Sequence, residues 1–571
     1  MLSGSPLNST PLSGLNTAPP FVLTTIAAGL AFRWRLRVLV NGADVSARLT
    51  GSVSVDRERG AAGVASLVLQ LAAGPVVPAD WVGRTVVIYY VSTAAGVTTE
   101  ALRYTGRVVK TEWNALLRQL ACQCGDQLQQ RGEALTVEQI DALTAGSFWS
   151  ADVFDPVAGR SRWDYALERM STIAASLDSA ADGTLQVSSW YAAAPSFEFG
   201  PNTTIYDSIS VGYADLTSLT NKVEIEADYR FSRLRQQNVH YSWKHPEAGS
   251  FDGLAAFCVW RHNSAETPDV AMVVSATEGA GLTMLDGAGY NRLPPSGAYC
   301  DPPAGWINNY PDLLLEAVWN GGRRWAQSVT EQYRFTVIAE ASVALAGEVI
   351  SRDRVALEVE TDSADQWASD PFTAGENSIE DVRDEPRRVT ALECVLNQAA
   401  TTIIAAHTAT QISWDTPTSM VMGIDLTHTL RLDDQGVKAQ AKCSRIADSF
   451  DLLGGTAITT LSIAVMRGGG AVSDSLTPPA FMAPPPPGEV VAVALASQLG
   501  SRNESPIYDD LLDGFAGNYD DNDLDINAGL VAFPRRFILS APEVPADLRD
   551  EFPVEIAATY RVIIPNDLLE L

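Results

Sequence analysis

With 571 residues, 46% of them hydrophobic and 19% charged, the chain has apolar content for several cores, about three to five domains by length. Asp and Glu number 69 against 40 Lys and Arg, a formal net charge of −29, which argues against a protein that grips nucleic acid through clustered cations on its phosphates. Six Cys are too few for a disulfide framework, so folding in a reducing cytoplasm is expected.

Residues 1–31 hold Ser, Pro, Leu, Asn and Thr without period or charge, and are expected as an extended N-terminal arm ordered only against a partner. The first basic residue is Arg33, so no secretory leader is expected, and no uncharged run of about 18 apolar residues points to a transmembrane segment. At 33–40, RWRLRVLV puts Trp34, Leu36, Val38 and Val40 on one face and three Arg on the other, a half-buried strand before an Asn41–Gly42 turn. Further strands are expected at 52–56, 65–71, 85–91, 100–111 and 116–125. This density without an intervening helix suggests a compact antiparallel barrel or sandwich over 32–130.

Cys122 and Cys124 close that series. Both fall at even positions of a strand and project to one face with Leu120. Same-face neighbours on a strand lie about 6.5–7 Å apart, too far for an undistorted disulfide. Structural zinc usually takes two to four intervening residues and a second pair. Core packing is therefore preferred over metal or redox chemistry.

The region 131–375 reads as mixed α+β. Thr136 with Gln139 makes a capping box for a helix at 137–145. Ser161 with Asp164 starts a second helix, with Trp163, Leu167, Met170, Ala174 and Leu177 on one stripe. Alternation marks strands at 185–190, 221–235, 331–341 and 355–361. An insertion at 243–330 carries Trp243, Trp260, Trp306, Trp319 and Trp325 among Gly, Pro and Asn. Buried Trp holding irregular loops is preferred there over carbohydrate stacking.

A helix at 385–407 opens the unit 376–466, followed by strands at 411–414, 427–432, 437–446 and 457–465. Cys443 aligns there with Val437, Ala439 and Ala441, echoing the earlier pair. Residues 467–487, RGGGAVSDSLTPPAFMAPPPP, read as a Gly/Pro-rich linker. Residues 488–571 read as a small acidic C-terminal module, with 16 Asp and Glu against five Arg. The expected fold is thus mainly β, two barrel units flanking a mixed middle.

Chemistry-bearing motifs are scarce. The nucleophile elbow, the HExxH zinc helix, the phosphate loop and the dinucleotide fingerprint are absent. His407 is placed at a helix end, as a cation complementing the dipole, and His428 in a strand; His240, His245 and His262 match no ligand spacing. Asp521, Asp523 and Asp525 begin a calcium-loop pattern that fails at Ile526 and Ala532. No catalytic, cofactor-binding or metal residue is assigned, no cofactor is expected, and the chain is read as not an enzyme. Paired carboxylates for sugar hydrolysis stay open, because their separation is spatial.

Three segments carry a resemblance: LRVLVNGADVSARLTGSVSVDRERGAAGVASLVLQL at 36–71, RYTGRVVKTEWNALLRQLACQCGDQLQQ at 103–130, and the helix 390–407 with GIDLTHTLRLDDQGVKAQAKCSRIADSFDLLGG at 423–455. Together they resemble the baseplate or tail hub proteins of tailed bacteriophages, including the contractile-tail hub and its relatives in long non-contractile (siphophage) tails and gene transfer agents. The resemblance covers about half of the chain and does not include 243–330 or 488–571. It implies a homotrimer whose two barrels per subunit alternate around an axis, joining a sixfold tail tube to a threefold tip. The implied partners are the tail tube or distal tail protein, the tape measure protein and a central fibre or spike protein. DNA would pass through the lumen during ejection without stable binding. The implied location is the virion tail tip, after assembly in the host cytoplasm. The alternative is a carbohydrate-binding or glycan-cleaving tail-tip protein using the 243–330 insertion. A secretion-spike component of the same ancestry is a third reading.

Overall fold

Asn41 and Gly42 both take positive φ, 48° and 78°, so the chain reverses tightly after its first long strand. This is a computed structural model of the chain; it describes residues 23–29, 31–245, 267–293, 295–300, 304–306, 311–358, 367, 372, 375–498, 509–516 and 535–571. Most of the expected arm, His262, Trp260 and the acidic stretch from Asp520 to Asp525 lie outside the described residues, as does the side chain of Trp306.

The fold is mainly β, as the alternating runs predict. Six antiparallel strands make the first unit, in the order Leu49–Glu58, Val64–Gln70, Gln119–Gly125, Val97–Asn114, Thr85–Ala94 and Arg33–Val40. Inward residues Val38, Val55, Leu67, Ile88, Leu120, Cys122 and Cys124 form one core. Residues 115–118 form the turn before Gln119–Gly125 rather than part of a strand, and Leu116 stands 92% exposed at its tip.

The second unit is built from Thr410–Pro417, Thr429–Asp434, Val437–Asp451 and Thr456–Val465. Phe197–Phe199 joins Thr429–Asp434 in parallel, and Ser210–Gly212 joins Thr410–Pro417. Its core holds Ile412, Trp414, Leu432, Ala441, Cys443 and Ile463. The two units are spliced edge to edge. Val437–Asp451 pairs with Thr429–Asp434 through residues 437–442 and with Leu49–Glu58 through 445–451. One 15-stranded sheet results.

Between the units, the capping box at Thr136 and Gln139 forms and starts the helix Val137–Leu143. The helix after Ser161 stops earlier than its apolar stripe suggests. Arg162–Met170 is helical, but Ala174 lies beyond it and Leu177 sits in the strand Ala175–Ser179. Ser171 and Thr172 hydroxyls donate to the carbonyls of Glu168 and Arg169, closing the last turn.

A second sheet is organised by two very long strands, Lys222–Lys244 and Leu314–Ile338, paired antiparallel from Lys222 with Ile338 to Lys244 with Glu316. Trp243, Trp319 and Trp325 therefore stand on regular strands rather than in loops. The helix Glu385–Ala406 packs Leu392, Val395, Leu396 and Ile403 onto the near half of this ladder, against Ile225, Phe231, Phe335 and Val337. By length and composition that helix is apolar enough to cross a membrane; its apolar side chains instead fill the core.

Residues after 466 thread back through the body. The Gly/Pro-rich segment expected as a linker is docked: Arg388 donates to the carbonyl of Pro479 and Arg383 to that of Met482, with the Arg383 guanidinium 3.7 Å from the Phe481 ring centre. Proline leaves carbonyls free and donates no N–H, so arginines are its natural partners. Val491–Gln498 pairs in parallel with Lys222–Lys244, Phe552–Arg561 with Leu314–Ile338, and Leu568–Glu570 lies antiparallel on Val437–Asp451.

Candidate functional site

Buried polar contacts join the two curled units where they meet. Two β-bulges build this junction. In the first unit Ile88 pairs with Tyr104 and Tyr89 with Leu102, leaving Arg103 as the extra residue. In Val437–Asp451, Cys443 pairs with Ile463 and Arg445 with Ser462, leaving Ser444 extra. A bulge re-aims a side chain that strict alternation would send elsewhere. Arg103 and Tyr104, adjacent in sequence, are both buried for this reason.

Arg103 Nε and Nη2 donate to the two carboxylate oxygens of Asp448 at 2.8 and 2.7 Å. The side chains are 1% and 2% exposed. Arg103 Nη1 donates to the carbonyl of Met422 at 3.3 Å, and Thr459 Oγ1 donates to Asp448 Oδ1 at 2.6 Å. Burial by itself disfavours the guanidinium charge, but Asp448 outweighs it and the pKa of Arg103 is raised. An ion pair removed from water survives only when its remaining hydrogen-bonding groups are met as well, and here the carboxylate gains a hydroxyl donor and the guanidinium a carbonyl.

Around this pair, Tyr90 Oη and Ser92 Oγ each lie 2.8 Å from Ser419 Oγ. Arg57 Nη1 reaches Asp425 Oδ1 at 2.7 Å, and Arg445 Nε donates to Asp56 Oδ1 at 2.8 Å. Trp34 Nε1 donates to the carbonyl of Gly455 at 3.0 Å. The Tyr90 ring stacks on those of Trp34 and Phe450, with centres 6.0 and 5.5 Å apart. Phe450 comes from the second unit's strand yet lies in the first unit's core. The arrangement fixes the angle between the units.

Chemical sites are sparse by comparison. Cys122 and Cys124 are buried, and burial pushes their thiols up to about 11 and about 12; Cys443 and Cys394 rise to about 12 for the same reason. Such thiols stay protonated at neutral pH. His407 does not serve as the cation expected at its helix end. It is 2% exposed, burial lowers its pKa, and its ring is held by Nδ1–H donating to Ile403 O and Nε2 accepting from the Ser342 hydroxyl. His428 sits in the turn before its strand, accepting from the Asp425 N–H at Nδ1, and burial lowers its pKa too. His240 contacts Asn320, and burial pulls His245 down to about 4. Among the described residues no three His, Cys, Asp or Glu side chains are grouped to hold a metal. A cleft of about 420 Å³ beside the helix Val270–Gly279 is lined by Met272, Ala276, Arg536 and Phe537, with no carboxylate.

Sequence reasoning missed Arg103, Ser419 and Asp448. One signal was available: in RIADSFD, Asp448 alternates with Ile446 and Phe450 at core-facing positions.

No protein-family model matches the chain, and no curated protein matches it. Among solved structures it is similar to a tail protein from Neisseria meningitidis MC58, at 8% identity and a TM-score of 0.34, over 75% of this chain and 96% of that one. The 43 kDa tail protein of prophage MuSo2 from Shewanella oneidensis is similar at 9% identity and TM-score 0.33, over 76% and 98%. A prophage tail protein, gp18, from Listeria monocytogenes EGD-e gives 8% and 0.29, over 75% and 94%.

Proposed function

We propose that the chain is a structural, non-enzymatic virion protein: the subunit of a homotrimeric hub at a bacteriophage tail tip. Each chain would place its two curled β units side by side in a ring of six. The ring would sit between the tail tube or distal tail protein and a central fibre or spike, with the tape measure protein and then DNA passing through.

The observation that carries this reading is the seam. A subunit that mimics two neighbours in a ring must hold its halves at one fixed angle. The splice through Val437–Asp451, locked by Arg103 and Asp448, does that with directional bonds rather than apolar area alone. The net charge of −29 suits a conduit, because an acidic bore repels DNA phosphates across the roughly 8–10 Å over which charge acts in physiological salt.

The test is the mass of the purified assembly together with a low-resolution image of the particle tip. Three copies around a central opening are expected; a stable monomer and no threefold ring would overturn the reading. Two tryptophans of the glycan alternative, Trp243 and Trp319, are 1% and 0% exposed and held in a core with no face free to stack on a sugar. Turnover of host glycan by purified protein would favour that alternative.

A further inference from the structure

The two units repeat one another across four strands. In the first, Val55 stands opposite Ala65, Ala65 opposite Cys124 and Cys124 opposite Val108. In the second, Val211 stands opposite Ile412, Ile412 opposite Ile463 and Ile463 opposite Cys443. A one-residue bulge follows at once in both, at Val109 and at Ser444. Each hairpin then closes through a four-residue turn, 115–118 or 452–455, whose last residue takes positive φ, 51° at Arg118 and 70° at Gly455. The outer strands are alike in sequence too, SVSVD at 52–56 and SISVG at 208–212.

The equivalence breaks at two strand edges. After its bulge, Val437–Asp451 pairs with the first unit's outer strand, Arg445 opposite Glu58 and Ser449 opposite Ser54. The matching stretch of the first unit, Lys110–Asn114, pairs with Gln119–Gln123 on one side. On its other side pairing ends at Val108, whose N–H and carbonyl bond Arg84 and Gly83, and the Thr111 hydroxyl donates to the carbonyl of Pro78. The matching outer strand of the second unit, Ser210–Gly212, pairs with Thr410–Pro417. Among the described residues no strand takes the remaining edge of either. Val109, Leu116 and Leu117 stand exposed near the first edge in sequence, and Tyr206, Tyr213 and Leu216 near the second. An open edge among large exposed apolar side chains is a template for a further strand.

We propose that these two edges meet between subunits: Lys110–Asn114 pairs antiparallel with residues 210–214 of a second copy of this chain. The internal splice is the template. Carrying its register over, counted from the bulge, sets Lys110 opposite Ala214, Glu112 opposite Gly212, Trp113 opposite Val211 and Asn114 opposite Ser210. Trp113 and Val211, half-buried against the first and second cores, would cover one another at that contact. The two edges differ, so the contact runs head to tail and ends only when a ring closes. The proposal rests on the ring reading above and adds to it the strands by which copies join.

Paired cysteines in the full-length chain test the register. Cα atoms directly opposite in an antiparallel pair lie about 4.5–5.5 Å apart, inside the range a disulfide spans. Glu112→Cys with Gly212→Cys is the first pair; a Cβ at Gly212 meets the Gln411 carbonyl at an ordinary 3.8 Å. Under mild oxidation it is expected to give linked trimers on a non-reducing gel, about tenfold faster than an off-register pair, Glu112→Cys with the exposed Tyr206→Cys. Asn114→Cys with Ser210→Cys serves as the second pair if circular dichroism shows that the first does not fold. A native threefold assembly with no linked chains from either pair would overturn the edge pairing and leave the ring reading standing. A native chain that stays monomeric would overturn both. Equal linking by the off-register pair would reflect chance collision and overturn the edge pairing as well.

Discussion

Along Val437–Asp451, Ala439, Ala441 and Cys443 face a wholly apolar core, whereas Asp448 and Phe450 meet the other unit across a buried ion pair and an aromatic stack. The first half is held by non-directional apolar burial, which tolerates changes that conserve volume. The second half is held by a charge pair that works only in one geometry. One strand can thus serve two cores, because the bulge at Ser444 changes the neighbours it offers, and the joint between units is where tolerance is least.

The comparison is broken most directly at the ion pair. Asp448→Ala leaves a guanidinium buried without a counter-charge, and a loss of about 3–5 kcal/mol in urea unfolding is expected. Replacing both partners, Arg103→Met with Asp448→Leu, is expected to recover most of that loss. If the single variant costs no more than an exposed pair does, about 0–1 kcal/mol, the ion pair does not hold the two units together. On the apolar half, Ala441→Leu adds volume to a closed core and is expected to cost about 1–3 kcal/mol by the same measurement. A control remote from both halves is Thr136→Ala, which removes one side of the capping box at a cost of about 1 kcal/mol.

The smallest effect is local and depends on pH. Asp567 precedes the terminal strand Leu568–Glu570, which pairs with the apolar half at Lys438–Gln440. Burial raises its carboxyl pKa to about 6, although the Met466 N–H and Arg467 favour the anion. The folded state therefore holds a proton that the unfolded state releases above about pH 4. Stability from this group is present below that value and is lost as pH rises towards 6. Hydrogen exchange of the Leu568–Glu570 amides, corrected for intrinsic rates, is expected to show less protection at pH 7 than at pH 4.5. Asp567→Asn is expected to remove the difference.

Much of the local structure was legible. Alternation in RWRLRVLV, the capping box at Thr136 and Gln139, the helix Glu385–Ala406 and the inward cysteines are all properties of residues near in sequence, and periodicity reports them. The neutral state of His407 was not legible, because Ser342 and the surrounding core decide it rather than the helix end alone. Nor was the docking of the proline-rich segment, which depends on Arg383 and Arg388 about 90 to 100 residues away in sequence. The bulge at Arg103 arises from a register shift between two strands, and neither strand announces it.

By itself, then, the order of residues determined many of the strands and helices and which of their faces are apolar, since side-chain spacing along a strand or helix is a local matter. Only the tertiary structure decided which edges join. Backbone N–H and C=O groups are alike at every residue except proline, so Val437–Asp451 finds Leu49–Glu58, and Phe552–Arg561 finds Leu314–Ile338, through packing across hundreds of residues rather than through any mark in the strands themselves.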